Sequence, residues 1–357
     1  MNEKIYLVAL HKIGISQKKM FDIFCSEQKY RDFYEKLDYN LLKKYKIPDD
    51  KISSILSYKQ KINLSDINIF LLTNNVKIIT FNEIDYPKSL KNIFNQPFLI
   101  YIKGKIESPS IAFIGSRNMS SYGKKIIEKF VPEIGKYFSI VSGGAIGCDT
   151  YSHQIALNNN ILTICVLGTG IDITYPSGNL KLYNDIVEKG GAIISIFPLG
   201  EPGNPYNFPI RNEIVAGLSH GVFIVEAKEK SGTLITAKLA LDLGKDVFCV
   251  PGDIFKFNYV GSNSLILNGE SKLVIGPNDI LSEYNINTVN ILEKSIKINL
   301  VDDVEKNIYN LLLEDSYTVD DLQRKLFLDI SIVSFKLSML EIYGYIKKGI
   351  DGRYEII

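Results

Sequence analysis

The stretch SGGAIGCD, Ser142 to Asp149, sets three glycines between the apolar run FSIV and the helix-like TYSHQIALNNN. Where a strand hands over to a helix through Gly143, Gly144 and Gly147, backbone N–H groups can approach an anion closely, so phosphate or carboxylate is the expected ligand. The spacing is G-G-x-x-G rather than the dinucleotide G-x-G-x-x-G. The next strand, ILTICVLGTG, ends in glycines where a ribose-binding acid would stand. NAD does not fit this pattern, and no cofactor is expected.

Catalytic types are sparse. Ser142, Asp149 and His153 are of the kinds that make a triad, but Asp149 and His153 lie one helical turn apart and nothing fixes Ser142 against the imidazole; His153 reads as a packed helix residue. Glu226, at a strand end, is the one candidate general base, and it has no second carboxylate. The four cysteines, Cys25, Cys148, Cys165 and Cys249, are widely spaced among mostly apolar neighbours, which predicts buried thiols rather than a disulfide or metal site.

Binding types are better represented. Arg117, two residues past a strand, can offer a planar fork to a phosphate, and Lys124 stands one turn into the following helix. Ser231 reads as the N-cap of TLITAKLALDLG, with Gly232 and Thr233 exposing N–H groups. Arg211 and Asn212 open another helix behind Phe208, a ring that either stacks on a base or belongs to the core.

These residues need elements to hold them. The chain has 357 residues, 46% hydrophobic, enough for two or three domains. It shows neither a bilayer-length apolar run nor a signal-peptide pattern, so a cytoplasmic protein is expected. Its net charge of +1 conceals a basic first segment, with 14 Lys/Arg against 9 Asp/Glu in residues 1–80, and an acidic last one, with 7 against 11 in residues 301–357.

Residues 1–80 read as a small all-α module of the SAM or helix-hairpin-helix kind, with KIGIS as the hairpin and Ser16 in place of a second glycine. Residues 81–285 begin with a link, IDYPKSLKNIFNQPFLIYIKGK. There follow apolar strands SIAFIG, FSIVSG, LTICVLG, AIISIF, VFIVEA, DVFCVPG and KLVIG, alternating with helical stretches. That alternation predicts an α/β fold, a Rossmann-like, doubly wound, mostly parallel sheet with its ligand mouth at the strands' carboxyl ends. Residues 286–300 read as a linker. Residues 301–357 read as three helices and a hairpin turning at Gly349 to Gly352, the order of a winged helix, whose third helix carries only Lys336 as a cation.

The strand-end loops, in this order, resemble the DNA-processing protein A family (DprA, also called Smf). The resemblance rests on YPKSL......P.LIYIKG, GSR followed by YG, SGGAIGCD..SH..AL, VLGTGID..YP, NFPIRNEIVAGLS, VEAKEKSGTLITAKLA, VPG and GSNSLI..G. It implies a non-enzymatic protein that binds single-stranded DNA, forms a homodimer through its α/β core, and helps load RecA recombinase during natural transformation. The resemblance and the residue-level reading together give an expected DNA-binding set of Gly115, Ser116, Arg117, Lys124, Ser142, Gly143, Gly144, Gly147, Phe208, Arg211, Asn212, Ser231, Gly232, Thr233 and Asn263. The alternative is a nucleotide-binding or N-glycosidic nucleotide-hydrolysing protein with Glu226 as base. The family's usual R-N-R reads here Arg211-Asn212-Glu213, with Ile210 and Ile196 as further departures. Glu213 is expected to support its helix through the dipole, or alternatively to face the phosphate track and repel it.

Overall fold

The computed structural model describes residues 3–26, 29–286, 302–349 and 351–356. The chain divides into two compact units, residues 1–287 and 288–357.

In the first unit, six helices come first: α1 (Glu3–Lys12), α2 (Gln17–Cys25), α3 (Tyr30–Glu35), α4 (Tyr39–Lys44), α5 (Asp49–Lys59) and α6 (Leu64–Thr73). The sheet that follows contains β1 (Lys77–Thr80), β2 (Leu99–Gly104), β3 (Ser110–Ile114), β4 (Ser139–Ser142), β5 (Thr163–Val166), β6 (Ala192–Ser195), β7 (Gly221–Ile224), β8 (Asp246–Cys249) and β9 (Lys272–Leu273). Between and after these strands lie α7 (Ser121–Ile134), α8 (Cys148–Asn158), α9 (Leu180–Glu188), α10 (Asn207–Leu218), α11 (Gly232–Asp242), α12 (Val260–Leu267) and α13 (Pro277–Glu283).

The strand order is β1-β2-β6-β5-β4-β3-β7-β8-β9. From β6 to β9 every pairing is parallel, while β1 and β2 add antiparallel at one edge. Strands β3 to β7 are buried along their whole length, as continuous apolar runs require when helices cover both faces. The chain runs outward from β3 through β4, β5 and β6, then returns to β7 on the other side of β3. The reversal between β3 and β7 is the topological switch point, where helices on opposite faces leave a crevice beyond the carboxyl ends.

The expected link thus contains β2, which lies in the sheet between the edge strand β1 and β6, and the sheet begins before residue 81, at Lys77. The helical segment is not set apart from the sheet. One apolar cluster joins Leu10, Ile15 and Met20 to Phe98, Leu99, Tyr101, Ile171 and Leu199. Gln17 seals the junction: its Nε2 donates to the carbonyls of Leu99 (3.1 Å) and Ile196 (2.9 Å), and its Oε1 accepts from the Leu99 N–H (3.0 Å). In the KIGIS turn Gly14 has φ +103°, the buried Ile13 and Ile15 point inward, and Ser16 caps α2 by accepting from the Lys19 N–H.

The second unit holds α14 (Asp303–Glu314), α15 (Val319–Leu326), α16 (Ile330–Ile342) and the antiparallel pair β10 (Ile346–Lys348) and β11 (Tyr354–Ile356) around Ile308, Leu322, Val333, Leu337 and Leu340. In α16 Lys336 is ion-paired to Asp302 (2.8 Å) and Glu305 (3.0 Å). The expected linker, except Ile286, lies outside the described residues. Among the described residues, no helix is long and apolar enough to cross a membrane.

Candidate nucleic-acid interface

A cleft of about 620 Å³ opens at the switch point between the carboxyl ends of β3 and β7. Its walls come from five strand-end loops and the first turns of α10 and α11, with Arg117, Asn118, Phe208, Arg211, Lys228 and Ser231 among the lining residues. A smaller recess of about 80 Å³ lies among Arg117, Tyr175, Phe208 and Arg211.

The floor shows why the glycines are where they are. Gly147, at φ +85°, precedes α8, and a Cβ there would strike the carbonyls of Ser116 and Arg117, so the β3 and β4 loops can close on each other only with glycine. The Cys148 N–H then donates to the Ser116 carbonyl (3.1 Å). The loop also meets an anion of its own: Asp149 is buried and accepts from the Ala145 N–H (3.2 Å). Burial raises the Asp149 pKa, with the charge of Arg211 as the largest opposing influence. The default expectation of an external anion cradled by this loop is thereby corrected in part. The chain's own carboxylate takes one of the loop's N–H groups.

Arg211 is a strut as well as a wall. It is 5% exposed, and its Nη1 donates to the carbonyls of Gly143 and of Val166 (2.8 Å), joining the ends of β4 and β5, while Nε donates to Asn212 Oδ1 (3.0 Å). Burial lowers its pKa, partly offset by Asp149. Its guanidinium lies 5.6 Å from the centre of the Phe208 ring, and that of Arg117 lies at the same distance. Arg117 is exposed and, among the described residues, makes no hydrogen bond or ion pair. Phe208 is half-buried, packed on Gly168 and 5.6 Å from the Tyr175 ring. It is therefore neither a core residue nor a free platform: two cations and a tyrosine hold its ring in the cleft wall.

Of the expected site residues, Gly115, Ser116, Arg117, Gly143, Phe208, Arg211, Asn212, Ser231, Gly232 and Thr233 do line this cleft. Others do not. Ser142 is fully buried and donates to the Phe113 carbonyl (2.6 Å). Gly144, at φ +69°, turns the chain beneath the cleft, where its carbonyl accepts from Asn179 Nδ2 (2.9 Å). Lys124 is exposed on α7 with its ammonium 5.9 Å from the Tyr151 ring. Asn263 clasps the backbone of Gly252, donating to its carbonyl and accepting from its N–H, both at 3.0 Å. Ser231 stands at the N-cap position of α11 without capping it; its buried hydroxyl has no partner among the described residues.

Glu213 departs from both expectations. It is buried and accepts from the N–H (2.9 Å) and Nδ2 (2.8 Å) of Asn95, so it faces neither solvent nor the cleft. Glu226 is also fully buried. It accepts from the Ser120 N–H (3.1 Å) and Oγ (2.6 Å) at the start of α7, so its oxygens do not face the cleft as a free base. His153 is a packed helix residue, its Nδ1 2.6 Å from Thr163 Oγ1. Three cysteines are buried as expected, but Cys25 is exposed. Among the described residues no group of His, Cys, Asp and Glu could hold a metal ion. Tyr175, Asn118 and Lys228 line the cleft though residue type alone did not single them out; the signal was their place in strand-end loops.

The sequence model of the family described as DNA recombination-mediator protein A matches residues 77–285. A DNA processing protein DprA of Streptococcus pneumoniae is 39% identical over 213 residues, 58% of this chain and 75% of that protein. Protein Smf of Escherichia coli is 38% identical over 200 residues, 55% of this chain and 53% of that protein. The crystal structure of the S. pneumoniae protein aligns with a TM-score of 0.65 at 30% identity, covering 78% of this chain and 97% of that one. A Helicobacter pylori DNA processing protein A, described for its single-stranded DNA binding mode, aligns at 0.52 with 27% identity, covering 58% of this chain and 96% of that one. With the matched segment spanning the whole sheet and every wall of the cleft, the chain belongs to the DNA recombination-mediator protein A family, the DprA/Smf proteins.

Proposed function

We propose that this chain binds single-stranded DNA in the switch-point cleft without cutting it, and acts in the cytoplasm as a recombination mediator that helps load RecA on DNA entering in natural transformation. The observation that carries the binding step is the Phe208 ring held by Arg117 and Arg211 in an open cleft. A strand offers phosphates to the outer guanidinium and to loop amides, and a base face to the aromatic wall, with no need for a groove-reading helix. The single-strand binding of the H. pylori relative supports this reading. RecA as partner and a homodimer formed through the α/β core rest on family membership.

The nucleotide-hydrolase alternative loses its base, because Glu226 caps α7 from inside the protein. Duplex binding by the second unit finds no support in α16, whose single cation is already neutralised by two carboxylates. The test is a gel-shift titration with oligo-dT, duplex of matched length and competing mononucleotides. Oligo-dT binds, duplex binds more weakly, and mononucleotides fail to compete; equal affinity for duplex overturns the proposal.

A further inference from the structure

The loop after β8, PGDIFKFNY, exposes three large apolar side chains in four residues: Ile254 is 77%, Phe255 89% and Phe257 84% exposed, with Lys256 between the rings. Neither ring contacts another aromatic ring among the described residues. The loop is nevertheless pinned at both ends. Asn263 clasps Gly252 from both sides, Tyr122 donates to the Pro251 carbonyl (2.9 Å), and the Phe255 N–H donates to Asp253 Oδ1 (2.9 Å). A pinned loop that leaves two phenyl rings in water displays them rather than burying them.

Its anchor points are the walls of the cleft. Strand β8 pairs in parallel with β7, so both loops leave the same edge of the sheet. The Gly261 N–H donates to the Ala227 carbonyl (2.8 Å), and a Cβ on Gly261 would strike the carbonyl of Lys228, a cleft residue. Tyr259 reaches the other wall, its hydroxyl 2.9 Å from Ser120 Oγ in the loop after β3. The aromatic loop is thus continuous with the cleft. Lys228 and Lys230 lie exposed on the adjoining loop, and Lys256, 3.6 Å from Asp253, is on the aromatic loop itself.

We propose that Phe255 and Phe257 form a second stacking platform, on which bases of a single strand emerging from the cleft are held while Lys256 and Lys228 meet its phosphates. Exposed rings interleaved with cations suit single-stranded nucleic acid, because every base has a face to stack and every step a phosphate to neutralise. This inference rests on the single-strand reading of the cleft and extends it to a longer footprint. A second copy of this chain seated on the same rings is the competing occupant.

The chain has no tryptophan, so Phe255→Trp and Phe257→Trp each create a single reporter. Titration with oligo-dT of about 20 nucleotides quenches that emission, while an oligonucleotide of about 4, confined to the cleft, binds without quenching. Phe255→Ala and Phe257→Ala each weaken binding of the long strand by at least about fivefold, and the Leu variants lose as much as the Ala variants, because stacking needs a ring. Affinity for the short strand is unchanged. Unquenched emission on saturation with the long strand, or full retention of its affinity in the double Ala variant, overturns the platform. A variant that instead changes sedimentation from dimer to monomer identifies the rings as a self-association surface and overturns it too. If the wild-type chain binds neither oligonucleotide, the cleft reading itself fails, and the platform with it.

Discussion

Arg211 rests on Gly143: its Nη1 donates to the Gly143 carbonyl, and its guanidinium fills the space that a Cβ on residue 143 would need. The contact links the strand-end glycine to the helix that carries the family's Arg-Asn motif, and it turns the buried arginine into a brace for the cleft floor. Gly143→Ala displaces that brace, and we expect a loss of about 1–3 kcal/mol of stability together with weakened oligo-dT binding. Chemical denaturation of the variant beside the wild type checks it; an unchanged midpoint would show that the floor does not depend on this contact.

Arg117 predicts the opposite pattern. Its guanidinium is exposed and holds no hydrogen bond or ion pair among the described residues, so Arg117→Ala leaves stability within about 0.5 kcal/mol. Binding of oligo-dT falls by about 1.5–3 kcal/mol, as expected for loss of a charge-assisted contact to phosphate. A melting curve and a binding isotherm on the same preparation separate the two readouts.

Glu213→Ala removes a buried acceptor that serves both the N–H and the side-chain amide of Asn95. Stability drops by about 1.5–3 kcal/mol, while oligo-dT binding to the fraction that remains folded is unaltered. Glu213→Arg, which would strengthen binding if this residue faced the phosphate track, instead destabilises more severely by burying an unpaired cation. A gain in affinity for the Arg variant would contradict the observed placement.

Two buried histidines set the acid limit of the first unit. Burial lowers the pKa of both His11 and His153 from 6.5 to about 3, so each stays neutral in the fold while the unfolded chain protonates it. Between pH 6.5 and about 3 the unfolded state binds more protons. Stability is therefore complete above that window and is lost as pH falls through it, with a limiting slope of about 1.4 kcal/mol per pH unit for each histidine. Urea titrations across this range, comparing wild type with His153→Gln, should show the variant's slope reduced by one proton's worth; parallel slopes would refute the assignment.

The mouth of the site was legible in the sequence because it is built from local signals: apolar runs ending in glycines and polar residues, repeated in α/β order. Most predicted cleft residues lie where those strand ends put them. What escaped depended on partners distant in sequence. Strand β2 hid in a segment punctuated by Pro87 and Pro97, and its identity comes from pairing with β1 and β6. Glu213 reads as a surface acid until Asn95, 118 residues away, is brought to it. Ser142, Glu226 and Asn263 have site-like chemistry, yet each is occupied by a backbone or hydroxyl partner that no spacing rule reveals. Strand-end position predicts which loop meets a ligand, but not which side chain in that loop is left free to do so.

Amide hydrogen exchange with and without saturating oligo-dT locates the bound DNA on the protein. Protection is expected at the five strand-end loops around Gly115–Asn118, Gly143–Gly147, Tyr175, Gly203–Phe208 and Lys228–Thr233, with residues 302–356 unaffected. Protection confined to the N-terminal helices or to the second unit, with these loops exchanging as in the free protein, would rule out DNA binding in the cleft.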